Sequence, residues 1–281
     1  MTMTAPSSHD TDLISRIAAL KRAGQPFALA TVVRTVAATA AKAGAKAVIL
    51  PDGTLEAGWI GGGCARGAVL KAAREALEDG APRLISVQPE TALAEHGVAP
   101  GDTRDGIRFA RNMCPSQGTM DIFIEAVMPA PDCVICGTSP VALALAELAP
   151  RFGFAVTACA PAEDQPAFAA PDRRVEGYAF EVAPTAERYV VVATQGKGDE
   201  AALRAALAAP AAYLGFVGSR AKVASLKHRL CATGVPEAAF EPLHAPAGLN
   251  LGAITPEEIA LSILAEMVAT RRAGQRGTQG D

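Results

Sequence analysis

The sequence predicts an α/β protein of two domains, the second of them a doubly wound parallel sheet. Three observations carry this. The 281 residues exceed one average domain and suit two. The Pro129-Ala130-Pro131 segment resists both helix and central strand and marks a boundary. Beyond it, short β-branched runs alternate with helix-length segments, the pattern of βαβ units. The expected limits are a disordered start over 1–10, a first domain over 11–128, a second over 132–272 and a disordered tail over 273–281.

In the first half, Leu13, Ile14, Ile17 and Leu20 recur at helical spacing up to Gly24, where a helix stops. Residues 27–33 and 46–50 read as strands, the second closed by Pro51-Asp52-Gly53. A glycine turn then leads into a helix with Val69, Ala73, Ala76 and Leu77 on one face and Gly80 at its end. Residues 84–87 and 121–127 are the remaining strands, separated by a polar and partly mobile stretch over 89–111.

In the second half the spacing predicts strands over 133–136, 155–159, 189–193 and 213–217, with helices over 140–148, 201–207 and 221–230. The last helix is specified by Thr255 as N-cap, Pro256 at its first position and Glu258 closing a capping box. Ile259, Ile263, Leu264 and Met267 form its buried stripe; Arg271 and Arg272 sit near its end, where positive charge complements the helix dipole. Half the residues are hydrophobic but only 5% are aromatic, so the cores must pack from Ala, Val, Leu and Ile.

A formal net charge of −3 supplies no broad positive field, which argues against nucleic acid and anionic membranes as partners. No run approaches the roughly 20 apolar residues of a membrane span, and the polar opening residues lack a signal-peptide core, so a cytoplasmic protein is expected. The six cysteines show no framework spacing and fit a reducing compartment without disulfides.

The sharpest local feature is Gly61-Gly62-Gly63-Cys64 ahead of a helix. Glycines admit positive φ and bring bare N–H groups close to an anion. A cysteine at a helix start has its thiolate favoured by the dipole and can be reactive or bind a soft metal. A tight turn followed by a packed thiol is the competing reading. Cys114-Pro115-Ser116-Gln117-Gly118-Thr119 is a donor-rich turn that can face the same cleft, or a polar hairpin end with an incidental thiol. Cys133 and Cys136 make a C-x-x-C, but positions three apart on a strand point to opposite faces, so they are core thiols, as are Cys159 and Cys231.

Cys136-Gly137-Thr138-Ser139-Pro140-Val141-Ala142 stands where a dinucleotide fingerprint would, with Ser139 in place of its middle glycine. The acidic residue expected about 20 positions on is missing, since Cys159-Ala160 stand there and Glu163 and Asp164 come late. Ordinary NAD binding is therefore disfavoured, while Thr138 and Ser139 at a helix start can still hold a phosphate. The carboxyl ends of parallel strands also gather 194–199 and 218–220. Here Lys197, Arg220 and Lys222 are available to a phosphate, and Asp199 and Ser219 act as N-caps. His244, in a turn-rich loop, is the one histidine placed to serve a site.

With these residues the chain resembles the XdhC/CoxI family over most of its length. The resemblance rests on Gly58-Trp59-Ile60-Gly61-Gly62-Gly63-Cys64, on residues 114–125, and on Tyr213-Leu214-Gly215-Phe216-Val217-Gly218-Ser219-Arg220-Ala221-Lys222, 244–249 and 252–260. It implies a family-specific α/β domain followed by a Rossmann-like domain, usually in a homodimer. It implies binding of the molybdenum cofactor (molybdopterin or molybdopterin cytosine dinucleotide), its protection during sulfuration, and its delivery to an apo-molybdenum hydroxylase. A cysteine desulfurase would be the other partner. Cys64, where some relatives carry arginine, places the chain nearer the CoxI-like branch, whose clients include carbon monoxide dehydrogenase-type enzymes. Ligand contacts are then expected from Gly61, Gly62, Gly63, Cys64, Cys114, Ser116, Gln117, Gly118 and Thr119. In the second half they are expected from Gly137, Thr138, Ser139, Gln195, Lys197, Gly218, Ser219, Arg220 and His244, with molybdenum near Cys64.

Three departures from the family pattern stand out. Its Gly-Ser-x-Pro turn is replaced over 36–41, Ser139 stands for glycine, and Gln195 stands where histidine is common. The competing functions are a nicotinamide-dependent oxidoreductase, which the missing acid and glycine argue against, and a sulfurtransferase carrying a persulfide on Cys64 or Cys114.

Overall fold

The computed structural model describes residues 8–115, 117–180 and 187–278; the side chains of 8–11, Cys64 and 275–278 are outside that description. The chain divides into two compact units, Met1–Pro129 and Ala130–Asp281. Among the described residues no helix is long and apolar enough to cross a membrane.

The first unit runs α1 (Ser8–Arg22), β1 (Phe27–Val36), β2 (Lys46–Ile49), β3 (Leu55–Gly58), α2 (Gly63–Asp79), β4 (Arg83–Gln88), α3 (Glu90–Glu95), β5 (Thr103–Arg104), β6 (Ile107–Arg111) and β7 (Thr119–Val127). Its seven strands form one sheet in the order β3-β2-β1-β7-β4-β6-β5, with β4 and β6 parallel and every other pair antiparallel. Alternation along each strand assigns the faces. Ala28, Ala30 and Val32 of β1, Met120, Ile122 and Ile124 of β7, and Ile85 and Val87 of β4 pack under Val69, Ala72, Ala73 and Ala76 of α2. The small residues on α2 let helix and sheet approach closely. Phe27 and Val48 turn the other way and meet Leu13 and Leu20 of α1.

The stretch over 89–111, expected to be polar and partly mobile, instead holds α3, β5 and β6, with Leu93, Val98 and Phe109 in a small buried cluster of their own. Its apolar residues are few, but they converge, and the carboxylate of Asp102 accepts from the Ala99 N–H at 2.8 Å to set the intervening turn.

The second unit runs β8 (Asp132–Cys136), α4 (Pro140–Leu148), β9 (Ala155–Ala160), β10 (Arg173–Glu176), β11 (Arg188–Val192), α5 (Asp199–Ala208), β12 (Tyr213–Phe216), α6 (Arg220–Ala232), β13 (Leu243–His244) and α7 (Pro256–Thr278). All its strands are parallel, in the order β10-β9-β8-β11-β12-β13. This is the doubly wound Rossmann order, with its reversal between β8 and β11. α4 and α7 cover one face and α5 and α6 the other.

Cys133 packs with α4 and α7, whereas Cys136 packs on the opposite face, so the C-x-x-C is two separate core thiols. Burial, with Asp132 beside it, pushes the Cys133 thiol up. Cys159 is also fully buried, while Cys231 is only half-buried, because the end of α6 reaches the surface. At the opposite end of the sheet, Asp132 accepts from the Thr157 hydroxyl at 2.7 Å and from Arg173 at 3.2 Å, with the buried Arg188 at 3.9 Å. The predicted capping box is formed: Thr255 Oγ1 accepts from Glu258 N at 3.3 Å, and Glu258 Oε2 accepts from Thr255 N at 3.0 Å. α7 continues through Gly274 to Thr278, past the expected stop, since one glycine costs a helix only about 1 kcal/mol.

β8 ends at Gly137, whose φ is +105° and whose Cβ, were there one, would lie 2.6 Å from Thr194 Cα. We predict that Gly137→Ala lowers the unfolding free energy of this unit by about 3 kcal/mol or more, from steric overlap and the strained backbone together. Urea titration followed by circular dichroism checks it, and an unchanged midpoint would contradict the close approach.

Candidate functional site

In the first unit, three loops meet at the amino end of α2. Gly61 adopts φ +108°, and Gly62 takes an extended conformation as the N-cap residue, with no side chain among the described residues capping the helix. The first helical N–H groups therefore have no partner within the helix and face outward. Cys64 is the second residue of α2 by its backbone; its side chain lies outside the described residues, as does Ser116 altogether.

The second loop, 112–118, is held by Asn112, which is buried. Its Nδ2 donates to the Gly118 carbonyl at 2.6 Å, and its Oδ1 accepts from the Cys114 N–H at 2.9 Å. Gln117, at φ +51°, donates to the Cys114 carbonyl at 3.3 Å. The third loop bridges Ala38 to Gln117, and Gly118 makes this contact possible, because a Cβ there would stand 2.2 Å from the Ala38 carbonyl oxygen. Thr39, Ala40, Gly62, Ala65, Asn112, Cys114 and Met120 line a depression of about 50 Å³ where the loops converge. Gly62 and the exposed thiol of Cys114 thus share one site. Thr119 is buried at the start of β7 and acts as frame.

In the second unit the expected contacts fall into two groups. Gly137, Thr138 and Ser139 lie at the strand-order reversal beside the loop after β11. Ser139 Oγ accepts from the Ala142 N–H at 3.2 Å as the N-cap of α4. Gln195, at φ +51°, and Lys197 are exposed on the facing loop. Asp199 is not an N-cap: it is the first residue of α5, behind Gly198. Its carboxylate accepts from the Thr194 hydroxyl and from the Gly196 N–H, and pairs with Lys222 at 2.7 Å. Burial opposes its charge most strongly, but these contacts prevail and hold its carboxyl below the usual range. Lys222 is therefore committed to Asp199, contrary to the expectation from sequence that it is available to a phosphate.

Gly218 and Arg220 belong to the second group, in a groove of about 500 Å³ formed with the 246–253 loop and with Ile259 and Ser262 of α7. Ser219 caps α6, accepting from the Lys222 N–H at 3.3 Å. His244 is in strand β13, not in a loop, and does not line the groove. Its Nδ1 lies 2.9 Å from Glu266 Oε1, and its ring stacks on Tyr213 with centroids 4.7 Å apart. Glu266 also accepts from the Tyr213 hydroxyl at 2.6 Å and the Gly248 N–H at 2.8 Å. It thereby ties β12, β13 and the groove loop to α7. Burial works against the Glu266 charge most strongly, yet its three hydrogen-bond partners together hold its carboxyl below the ordinary value.

Sequence reasoning missed Asn112 and Glu266. An asparagine two positions ahead of a turn cysteine is an Asx-turn signal that can be read. Glu266 carries no such signal, because in α7 it looks like a solvated helix charge.

A mixed-sheet unit with a glycine turn at a helix start, joined to a Rossmann-type unit, defines the class. Residues 20–88 match the XdhC and CoxI family, and residues 133–267 match the XdhC Rossmann domain. The chain belongs to the XdhC and CoxI family. It is 30% identical over 270 residues to an uncharacterized protein, YqeB, of Escherichia coli (strain K12), covering 92% of this chain and 46% of that one. It is 29% identical over 165 residues to a probable xanthine dehydrogenase subunit of Bacillus subtilis (strain 168), covering 55% of this chain and 47% of that protein. The chain spans about half the length of the curated relatives it matches. A solved structure described as a xanthine dehydrogenase from Bacillus halodurans aligns with a TM-score of 0.45 at 18% identity, covering 94% of this chain and 96% of that one.

The two polar braces can each be tested. Asn112→Ala leaves the Gly118 carbonyl and the Cys114 N–H without their partner, so amide hydrogen exchange at Cys114 should accelerate, with about 1–3 kcal/mol lost. Glu266 has a depressed folded-state pKa, so its contribution is complete above the unfolded carboxylate value and is lost as pH falls through the folded one. Glu266→Gln should cost about 2 kcal/mol near neutral pH and flatten the acid limb of stability. Parallel acid titrations of the two proteins would disprove this if the curves kept a constant offset.

Proposed function

We propose that this chain binds the molybdenum cofactor, as molybdopterin or its cytosine dinucleotide form, protects it while a cysteine desulfurase supplies sulfur, and passes it to an apo-molybdenum hydroxylase. Xanthine dehydrogenase is the client class that the family and the name of the Bacillus subtilis relative favour, with carbon monoxide dehydrogenase-type enzymes as the alternative suggested by Cys64. In this reading the chain holds and hands over its cargo as a cytoplasmic homodimer and catalyses no metabolic reaction.

The observation that carries the proposal is the meeting of Gly62 and the Cys114 thiol in one depression at a helix start that no side chain caps among the described residues. The donor set suits the cargo. Backbone N–H groups at a helix start favour oxo and phosphate oxygens, and a thiolate is a ligand for a soft, sulfur-rich metal centre. At about 50 Å³ the depression accommodates only the metal end of such a ligand, because a whole small molecule needs about 300 Å³ or more. Positions 62 and 63 have no atoms within 4 Å of where a Cβ would be, which leaves room for the pterin body outside. When bound, the cofactor supplies the metal and sulfur chemistry of the client; Asn112 keeps the Cys114 loop in place and the glycine turn keeps the amides clear.

The exposure of Cys114 also favours a narrower role, in which that thiol carries a persulfide. Protein purified from a cofactor-producing host should hold molybdenum and pterin, and Cys64→Ser or Cys114→Ser should lower retention about tenfold, the loss of one good ligand contact. Retention unchanged in both variants would remove the thiols from the mechanism, and wild-type protein free of pterin would sink the carrier reading. A sulfur adduct on Cys114 after incubation with a desulfurase, seen by mass spectrometry, would support the narrower role.

A further inference from the structure

A doubly wound sheet of this order offers two mononucleotide half-sites, one on each side of the strand-order reversal. In this chain the two halves are not equivalent. Over β8, β9 and β10, the chain's own side chains fill the space. Tyr178 returns from the end of β10, and its hydroxyl donates to the Lys197 carbonyl, in the loop after β11, at 3.3 Å. Its ring lies against Gly198, where a Cβ would be 2.6 Å from a ring atom. The ring packs against the core cluster that holds Cys136 and Cys159, at the ends of β8 and β9. Gln165 crosses the ends of β9 and β10, with Nε2 donating to the Ala160 carbonyl at 3.0 Å and the Val175 carbonyl at 2.6 Å. β9 ends at Ala160 and is followed by Pro161 and Ala162, so no acidic side chain directly follows the strand to receive ribose hydroxyls.

Beyond the ends of β12 and β13 the space is open. The groove of about 500 Å³ is lined by Gly218, Arg220, Gly248, Leu249, Leu251 and Ile259, among others. That volume is within the range of small-molecule sites. Gly248 must remain without a side chain, since a Cβ would stand 2.3 Å from Ser262 Oγ, which lets the loop pack closely on α7 beside the groove. Arg220 is exposed and, among the described residues, forms no hydrogen bond or ion pair, whereas Lys222 is neutralised by Asp199. Leu249 and Leu251 are 42% and 56% exposed, an apolar wall without a covering partner among the described residues.

We infer that the second unit binds one nucleoside 5′-phosphate group in this groove, its phosphate on Arg220 and its ribose and base along the Leu249–Leu251 wall, and that it does not take a dinucleotide across the reversal point. The chemistry is shared by two sources, a free mononucleotide and the nucleotide end of a larger ligand. The second source rests on the proposed function, since the cytosine dinucleotide form of the cofactor carries such an end.

Isothermal titration of the full chain with CMP, AMP, inorganic phosphate and NADH tests this. Micromolar binding of a mononucleotide is expected, with inorganic phosphate and NADH both weaker. Arg220→Ala should weaken the mononucleotide at least about tenfold by removing a charge-assisted contact. Leu251→Ser, at an exposed position, should weaken the mononucleotide but not inorganic phosphate. Absence of mononucleotide binding at millimolar concentration, indifference to both variants, or NADH binding tighter than AMP would each overturn the inference. Displacement of copurified cofactor by CMP assigns the groove to the cargo's nucleotide end; CMP binding without displacement assigns it to a free nucleotide. A chain that retains pterin but ignores CMP would sink the groove site alone, and one that binds CMP but never retains pterin would sink the carrier reading alone.

Discussion

The architecture of the second unit depends on a backbone contact that only glycine permits, between Gly137 at the end of β8 and Thr194 at the end of β11. These two strands flank the point where the order reverses, and their loops must leave in opposite directions. With position 137 bare, the β11 loop closes against the start of α4. Thr194 is then free to donate to Asp199, Asp199 fixes Gly196 and draws in Lys222, and the α5 and α6 starts become a single polar assembly. A charged pair that well bonded is costly to break on one side, because the remaining charge is left without compensation. The rigid arrangement explains why Arg220 and not Lys222 is the cation left facing the groove.

Three buried or half-buried polar side chains, Asn112, Asp199 and Glu266, do the same kind of work in three places. Each fixes a loop through two or more hydrogen bonds at once, Asn112 within its own loop, Asp199 within the loop after β11 and across to Lys222, and Glu266 between α7 and the β12, β13 and Gly248 segments. Loops held in this way lose little further entropy when a ligand arrives, which is how preorganisation raises affinity without extra contacts. His244 belongs to this scaffold. Its Nδ1 is spent on Glu266 and its ring on Tyr213, so it supports the Gly248 turn and does not meet a ligand in the groove.

Where the sequence was legible, local signals and burial agreed. α4 begins at Pro140, behind Ser139, as the cap and the N1 proline indicate, and β8, β9, β11 and β12 were readable because central parallel strands are buried on both faces and show as continuous apolar runs. The strands that escaped were short and peripheral. β10 reads Arg-Arg-Val-Glu, β13 has two residues, and β5 has two exposed ones, so none carries the hydrophobic alternation that declares a strand. β6, with Ile107 and Phe109 alternating against arginines, had the pattern but was hidden by its polar surroundings. The convergence of Gly62 with Cys114 is a tertiary fact: β1 and β7 pair antiparallel from Phe27↔Val127 to Val36↔Thr119, with one register shift between Val32 and Arg34, which carries the 37–41 and 112–118 loops to the same end of the sheet, and no local pattern encodes that.

The two candidate sites divide the recognition problem along chemical lines. The first unit offers a thiol, amides and almost no enclosed volume; the second offers an arginine, an apolar wall and enclosed volume but no thiol among its lining residues. A carrier must release what it binds, and a deep pocket contacting every part of the cargo would bind it too tightly to yield it. Contacts of about 1–3 kcal/mol each, made by backbone amides and one thiol at an open depression, can sum to useful retention while each remains individually reversible. A client that competes for the metal end then has few contacts to displace at this depression, because so little of a ligand fits inside it. Under the proposed role, an open and shallow depression at Gly62 suits handover, because it holds one end of the cargo by contacts that can be released one at a time.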